Sequence, residues 1–318
     1  MTSHPHPHGR TDQAADPHPG PGPGQGHDHD HEHHQDHDHD HDHDQAEILD
    51  LDANVLTEHL ASITAWLPVT APPRHIVDLG CGTGAGTLAL LERFPGARVT
   101  AVDASDGHLR RLREKARAGG VEGRVHTVLA DLDTHWPDLG SPDPSRTGPD
   151  LPDLVWASAS LHHMADPRRT LRQVHDGLAP GGLFAVVELA GFPRFLPADA
   201  PEERPGLEER LHTVSDRRHG NRLPHRGADW GPLLAAAGFD VEAERTITVK
   251  VDASPSNEVG QYALSGLRRV RAAVIDDLSP EDIAALDRLL DTTGTHGILH
   301  RTDLAVRTRR TVWAARRT

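Results

Sequence analysis

The sequence predicts an α/β fold built on a doubly wound, mostly parallel sheet, and two observations lead to it. Apolar strand-like runs alternate with amphipathic helical patterns from residue 74 onward, which is typical of parallel sheets with crossover helices. Four glycines within seven residues, Gly80 to Gly86, follow the first apolar run and precede a helical pattern. This order of strand, glycine-rich turn and helix predicts a ligand cradle at the first crossover.

The predicted elements follow this alternation in chain order. The predicted strands are 74–79, 97–102, 124–129, a strand that opens at 154, 183–189, 239–251 and 303–316. The predicted helices are 47–66, 84–94, 107–118, 167–178, 230–237, 257–276 and 280–291. Ser279 followed by Pro280 is a favourable start for the last helix. The proline- and arginine-rich stretch 191–228 is expected to be irregular.

The glycine-rich turn alone is compatible with more than one cofactor. Gly80, Gly82 and Ala85 fit the fingerprint of dinucleotide-binding turns, in which backbone N–H groups at the helix start face the ligand. Asp103 ends the second predicted strand, where a carboxylate can accept hydrogen bonds from both hydroxyls of a ribose. The turn and Asp103 therefore predict a bound nucleotide or nucleoside.

Composition limits the partners and the compartment. The 318-residue chain has a net charge of −15, but ten acids and one arginine in residues 1–45 account for nine of these charges. The mildly acidic remainder has no general attraction for a phosphate backbone, so nucleic acid is not an expected partner. Cys81 is the only cysteine, which excludes an intramolecular disulfide. Because no apolar leader or run of about 18 apolar residues is present, we expect a cytoplasmic monomer or homodimer without a membrane span.

Residues 1–45 form a separate N-terminal tail. Thirteen of the 26 histidines lie there, and residues 27–44 alternate histidine with aspartate almost throughout. Such a composition offers nothing to bury, so we expect the tail to be disordered. Neighbouring imidazoles and carboxylates could chelate Zn²⁺ or Ni²⁺, either for a biological purpose or adventitiously, as any histidine-rich tract does. The candidate ligands are His27, His29, His31, His33, His34, His37, His39, His41 and His43.

Three strings of the sequence resemble one known family. Residues 77–84, V-D-L-G-C-G-T-G, resemble motif I of the class I S-adenosylmethionine-dependent methyltransferases. Residues 153–167, D-L-V-W-A-S-A-S-L-H-H-M-A-D-P, are similar to motif IV and its following loop in the small-molecule branch, which includes the quinone-biosynthesis methyltransferases. The Pro180-Gly181-Gly182 turn is also typical of the family. The resemblance implies a seven-stranded Rossmann-like sheet with an antiparallel last strand beside the fifth. It also implies in-line transfer of a methyl group from S-adenosylmethionine to a small-molecule acceptor.

The resemblance also implies the residues of the site. Asp131 matches the position at which the family binds the adenine amino group, and Ala157 and Ser158 would lie beside the methionine part of the cofactor. The implied cofactor-binding residues are Asp78, Gly80, Cys81, Gly82, Gly84, Asp103, Ala104, Asp131, Leu132, Ala157 and Ser158. His162 or His163 is a candidate general base, because imidazole titrates near neutral pH. The alternative is that this pair only shapes the pocket.

The predicted organisation is a tail over 1–45 and a methyltransferase domain over 46–318. The insertions 191–228 and 255–292, together with the helix over 47–66, are expected to form a helical cap that covers the acceptor. Seven arginines in 191–228 either meet an acidic substrate or form a solvated surface with the acids between them. They are Arg194, Arg204, Arg210, Arg217, Arg218, Arg222 and Arg226.

Two other functions share part of this pattern. An NAD-dependent oxidoreductase would use the same glycines and Asp103, but it also needs a proton donor such as a Tyr–Lys pair. The only tyrosine, Tyr262, and the two lysines, Lys115 and Lys250, are not expected near the carboxyl edge of the sheet. A metal-buffering protein would instead use the tail, with a vestigial cofactor-binding body. The intact acids Asp78, Asp103 and Asp131 argue against such decay.

Overall fold

A computed structural model describes residues 45–140, 151–220, 223, 225–253 and 257–318. Its seven strands are β1 (His75–Leu79), β2 (Arg98–Asp103), β3 (Val125–Leu129), β4 (Leu154–Ser158), β5 (Leu183–Leu189), β6 (Phe239–Asp252) and β7 (Ala305–Arg317). They form one sheet in the order β3-β2-β1-β4-β5-β7-β6. Strands β1 to β5 are parallel, and β7 runs antiparallel to both β5 and β6. The predicted fold, including the antiparallel last strand, is confirmed.

Nine helices surround this sheet in the described part of the chain. They are α1 (45–55), α2 (Thr57–Trp66), α3 (Ala85–Arg93), α4 (Asp106–Ala118), α5 (Pro167–Gly177), α6 (Leu207–His219), α7 (Gly231–Ala236), α8 (Glu258–Val274) and α9 (Pro280–Leu290). The Ser279 hydroxyl caps α9 by accepting a hydrogen bond from the Asp282 N–H, as the sequence predicts. None of these described helices is long and apolar enough to cross a membrane. The predicted metal ligands between His27 and His43 lie outside the described residues.

The helix predicted over 47–66 is instead two helices that meet at Leu56. The backbone of Leu56 has φ −103° and ψ 15°, which separates α1 from α2. The cause lies in the packing, because the two halves bury their apolar faces in different cores. Leu51 and Leu56 pack with the helical cap, whereas Ile63 and Leu67 pack against the sheet. A straight helix could not direct both sets of side chains to their cores.

The stretch 191–228 was expected to be irregular, and this is wrong because it contains α6. Gly206, with φ +73°, precedes the first residue of the helix. Leu207 and Leu211 lie one helical turn apart and are fully buried. The arginines and acids that suggested a loop are mostly placed on the outer face, where they need no burial. The short apolar repeat was masked by the charged composition around it.

The helical cap packs on an arm that β6 and β7 form beyond β5. Strand β7 pairs with β5 only from Arg310 to Arg316, whereas its pairing with β6 continues to Ala305. Side chains of α6, α8 and α9 form a core with residues of α1 and with Val306 of β7. The Asp282 carboxylate ties α9 to α6, because it accepts hydrogen bonds from Arg210 and from Arg204 of the preceding segment. The cap is thereby held at the carboxyl edge of the parallel strands.

We predict that Gly84→Ala lowers the free energy of unfolding by about 2–4 kcal/mol. Gly84 has φ +92°, and an added Cβ would lie 2.3 Å from Leu112 Cδ1, so backbone strain and overpacking add. Urea denaturation measures the change. Gly177→Ala is the matched control: it lies in α5, an added Cβ there meets nothing within 4 Å, and we expect no loss of stability. Equal losses in both variants would contradict the assignment of Gly84.

Candidate active site

The turn between β1 and α3 is anchored to β2 through its backbone. The N–H groups of Gly80 and Cys81 donate hydrogen bonds to the Val102 carbonyl at 2.9 and 3.0 Å. Three glycines are required by internal packing, because an added Cβ would collide with a neighbouring side chain. The collisions are Gly80 with Ser160 at 2.5 Å, Gly84 with Leu112 at 2.3 Å and Gly86 with Trp156 at 2.6 Å.

Gly82 differs from the other glycines of the turn. It has φ +54°, and an added Cβ would meet only Leu49 Cδ1, at 3.2 Å. Leu49 belongs to α1, so this helix lies over the turn. The Gly82 N–H donates to Asp103 Oδ2 at 2.8 Å, which joins the turn to the end of β2. Gly82 is therefore the glycine of the turn that packs against α1.

Asp103 is a half-buried carboxylate with ordered partners. Its Oδ1 accepts from the Ser105 N–H at 2.9 Å and lies 3.1 Å from His108 Nδ1. Burial opposes ionisation of Asp103, but the hydrogen bonds from His108, Ser105 and Gly82 outweigh it and lower its pKa. An ionised carboxylate can accept about four hydrogen bonds, and three are already made. Asp103 Oδ2 therefore has one acceptor position left for a ligand hydroxyl.

Asp78 lies beneath the turn and is shut off from solvent. Its Oδ2 accepts a hydrogen bond from the Thr87 hydroxyl at 2.6 Å. Burial, together with the charge of Asp103, raises the pKa of Asp78 to about 7. Asp78 therefore titrates near neutral pH, and a cation bound over the turn would favour its ionised form.

The ends of β3 and β4 carry the remaining residues that the resemblance implies for cofactor binding. The Ala130 N–H donates to the Asp103 carbonyl at 3.0 Å, so Asp131 follows directly beside the end of β2. Asp131 and Ala104 are exposed, while Leu132 and Ala157 are buried and Ser158 is half-buried. After Ser158 the chain turns sharply at Ala159, whose φ is +53°. The implied cofactor residues thus all lie at the ends of β1 to β4 or in the turns that follow them.

Glu188 is a site residue that sequence reasoning missed. Its Oε2 lies 2.6 Å from His162 Nδ1, and its Oε1 accepts from the Leu161 and His162 N–H groups at 3.0 and 3.3 Å. The His162 side chain is only 5% exposed, and the Glu188 side chain is 1% exposed. An ionised carboxylate can only accept, so Nδ1 of His162 carries the proton, and in the neutral ring Nε2 is left as the acceptor. The available signal was a single acid in the otherwise apolar strand Leu183–Leu189.

The two candidate histidines have different surroundings. The His163 ring is exposed at one side and lies 4.2 Å from the His162 ring, centroid to centroid. Burial lowers the pKa of His163 to about 4, and the charges of His162, Arg269 and Arg226 act in the same direction. His163 is therefore neutral near pH 7, but no carboxylate fixes its tautomer as Glu188 does for His162. The geometry favours His162 as a proton acceptor.

Lys115 and Tyr262 lie at the carboxyl edge, contrary to expectation. Lys115 Nζ is 3.2 Å from the Thr83 carbonyl in the glycine turn and binds Asp50 of α1. The Tyr262 hydroxyl donates to Asp52 Oδ1 at 2.6 Å. The two side chains are engaged by different carboxylates, so they do not form the Tyr–Lys pair of an oxidoreductase. They instead hold α1 over the site.

Comparisons with known proteins point to one family. Residues 77–184 match the family model described as a methyltransferase domain. A trans-aconitate 2-methyltransferase of Paracidovorax citrulli is 36% identical over 124 residues, which are 39% of this chain and 42% of that protein. The chain thus spans less than half the length of this relative.

Two further relatives carry methyltransferase names. A trans-aconitate 2-methyltransferase of Variovorax paradoxus is 28% identical over 243 residues, which cover 74% of this chain and 84% of that protein. A 27-O-demethylrifamycin SV methyltransferase of Amycolatopsis mediterranei is 34% identical over 151 residues, 47% of this chain and 50% of that protein.

We predict that Asp78→Asn gains stability relative to the parent chain as the pH rises from 5 to 8. The folded state keeps the Asp78 proton up to about pH 7, whereas the unfolded state releases it near 3.8. Stability of the parent therefore falls over this window, by about 3 kcal/mol. Asparagine removes this fall.

Urea denaturation at pH 5 and pH 8 measures the difference. Asp291→Asn is the control, because the lowered pKa of Asp291 puts its stability change below this pH range and Asp291 is not among the groups that act on Asp78. A constant offset between Asp78→Asn and the parent chain at both pH values would contradict the prediction.

Proposed function

We infer that this chain, a member of the class I S-adenosylmethionine-dependent methyltransferases, transfers a methyl group from S-adenosylmethionine to a small-molecule acceptor. The observation that carries the inference is the arrangement at the carboxyl edge: the turn and Asp103 are joined for a nucleoside, whereas Tyr262 and Lys115 are bound by separate carboxylates and do not form the pair of an oxidoreductase. Asp103 keeps one acceptor position for a ligand hydroxyl. The names of the relatives support the same activity.

The residues present fit S-adenosylmethionine. Asp103 would accept a ribose hydroxyl, and the exposed Asp131 one strand further would reach the adenine amino group. The buried Asp78 would face the positive charge of the methionine part. When bound, S-adenosylmethionine supplies an activated methyl group on a sulfonium leaving group. The remaining task of the protein is to orient the acceptor and remove its proton.

His162 is proposed as the general base for this step. Glu188 holds its Nδ1–H, so that Nε2 can take the proton from a hydroxyl acceptor as the new bond to the methyl carbon forms. The Leu161 and His162 N–H groups also bind Glu188, which prevents the turn from rotating away. Glu188 is a positioning residue in this scheme, and His163 is a neighbour that shapes the pocket.

The cap elements are proposed to cover the acceptor. Helix α1 lies over Gly82, and α6 and α8 pack with it in one core at the carboxyl edge. The relatives' names differ in their acceptor, trans-aconitate in one case and a rifamycin in another. They therefore leave the acceptor of this chain open.

The remaining expectations concern compartment, assembly and tail. We propose a cytoplasmic monomer or homodimer without a nucleic-acid or membrane partner. Within the described residues no cluster of three metal-ligating side chains occurs, so Zn²⁺ or Ni²⁺ would bind the tail. Calorimetric Zn²⁺ titration of the full chain and of a chain without residues 1–44 decides this; equal uptake by both rejects a tail site.

We predict that the full chain binds S-adenosylmethionine and that Asp103→Ala weakens binding by about 1.5–3 kcal/mol. The variant loses a charged acceptor for the ribose hydroxyls. Isothermal titration calorimetry measures the affinity. Asp106→Ala, which removes an exposed acid paired only with Arg110 and Arg113, should bind as the parent does. Tight binding of NAD in place of S-adenosylmethionine would overturn the proposed function.

We predict that His162→Gln lowers kcat by about 10²–10⁴-fold with a hydroxyl acceptor, whereas His163→Gln has a much smaller effect. Glu188→Gln should also lower kcat strongly, because an amide that donates to Nδ1 forces the proton onto Nε2. Release of S-adenosylhomocysteine with a panel of small hydroxylated acceptors measures kcat. Affinity for S-adenosylmethionine should stay unchanged in all three variants. Equal losses for His162→Gln and His163→Gln would contradict the role of Glu188.

A further inference from the structure

Arg226 differs from the other arginines of the cap segment. Its side chain is 8% exposed, whereas those of Arg204, Arg210 and Arg218 are 36–40% exposed and each is paired with an acid. Arg226 Nη2 donates to Asp216 Oδ1 at 3.0 Å, but Nη1 is buried and has no hydrogen-bond partner among the described residues. Burying such a charged donor without an acceptor costs free energy. A polar partner on a ligand would remove this cost.

An aromatic ring fixes the plane of this guanidinium. Arg226 lies over the Phe192 ring, with 4.2 Å from its guanidinium carbon to the ring centroid. The ring of His212 lies 6.3 Å from the Phe192 ring, centroid to centroid, and is 1% exposed; neither of its nitrogens has a hydrogen-bond partner within the described part of the chain. Its nearest acid atom, Glu208 Oε1, is 3.9 Å from Nε2. The guanidinium of Arg226 thus lies against an aromatic ring, and its Nη1 has no partner among the described residues.

The charge around Arg226 is mainly positive. Burial, Arg194 and Arg226 lower the pKa of His212 to about 3, so its ring is neutral. Arg269 of α8 lies near enough to act on His163 together with Arg226, and it makes no ion pair with a described residue. Asp216, the counter-charge on Arg226, is itself 55% exposed. An anion would therefore be attracted to this position.

The same position adjoins the proposed base. Arg226 precedes Gly227, where an added Cβ would lie 3.1 Å from the carbonyl oxygen of Ala190, two residues after Glu188. His162 is held by Glu188 at the end of β5. An acceptor of modest size could contact Arg226 at one end and His162 Nε2 at the other.

We propose that Arg226 binds a carboxylate group of the acceptor and thereby holds its hydroxyl against His162. The proposal rests on the proposed methyl transfer. A hydroxyl oxygen forms the bond to the methyl carbon, the electron pair of the breaking carbon–sulfur bond stays on sulfur, and the hydroxyl proton goes to His162 Nε2. The carboxylate is not methylated in this scheme. A planar monoanion fits the one Nη1 group that lacks a partner among the described residues better than a phosphate, which needs more donors.

Matched acids and amides test the proposal by binding alone. Benzoate and benzamide are titrated into the full chain by calorimetry, with and without saturating S-adenosylhomocysteine. We expect benzoate to bind about tenfold or more tightly than benzamide. Arg226→Gln should abolish this preference and Arg226→Lys should retain part of it. Arg218→Gln removes an exposed arginine paired with Asp277 and should leave the preference unchanged.

Asp216→Asn provides a test that does not touch Arg226. It removes the counter-charge from an exposed position, so benzoate should bind several-fold more tightly while benzamide does not. The proposal is overturned if benzoate shows no preference over benzamide, or if the preference survives in Arg226→Gln. Phenyl phosphate that binds tenfold more tightly than benzoate would also overturn the assignment of a carboxylate. Failure of S-adenosylhomocysteine to bind would refute the proposed function separately.

Discussion

The candidate site depends on a group of buried charges at the place where β5 ends beside β7. The register of these strands places Glu188 opposite Thr311, next to Arg310. Arg310 is 8% exposed, and its Nη2 donates to both oxygens of Asp52 at 2.8 and 2.7 Å. Burial alone would lower the pKa of Arg310, but Asp52, Tyr262 and Glu188 together raise it. Removing Asp52 would leave Arg310 buried without its paired carboxylate.

This cluster couples three elements that are distant in sequence. Asp52 lies on α1, Tyr262 on α8, and Glu188 holds the His162 turn after β4. Asp50, two residues from Asp52, binds Arg111 and Lys115 of α4 on the cofactor side. Ion pairs therefore fix α1 to α4 and to β7, and Leu49 of the same helix lies over Gly82. The position of α1 thus depends on ion pairs at both places, and the His162 turn depends on the buried carboxylate of Glu188.

The helical cap also depends on contacts between elements that are distant in the sequence. The long β6–β7 arm extends the sheet past β5 and gives α6, α8 and α9 an apolar surface. Most arginines of 191–228 then pair with acids at the surface, as in the solvated interpretation of this segment. Arg226 is the exception, because the turn before α7 returns it under the cap beside Phe192. A segment that looks uniform in composition thus contains one arginine whose side chain is buried.

The sequence by itself determined the β–α alternation, the glycine turn, Asp103 at the end of β2 and the two histidines. These features are local, since strand period, glycine spacing and strand ends depend on neighbouring residues. It could not determine the break at Leu56, helix α6 or the partner of His162. Each of these depends on which core or charge lies opposite. His162 and Glu188 are 26 positions apart in the sequence, and Asp52 and Arg310 are 258 positions apart. These separations are bridged only when the parallel sheet and the antiparallel β7 bring the residues together.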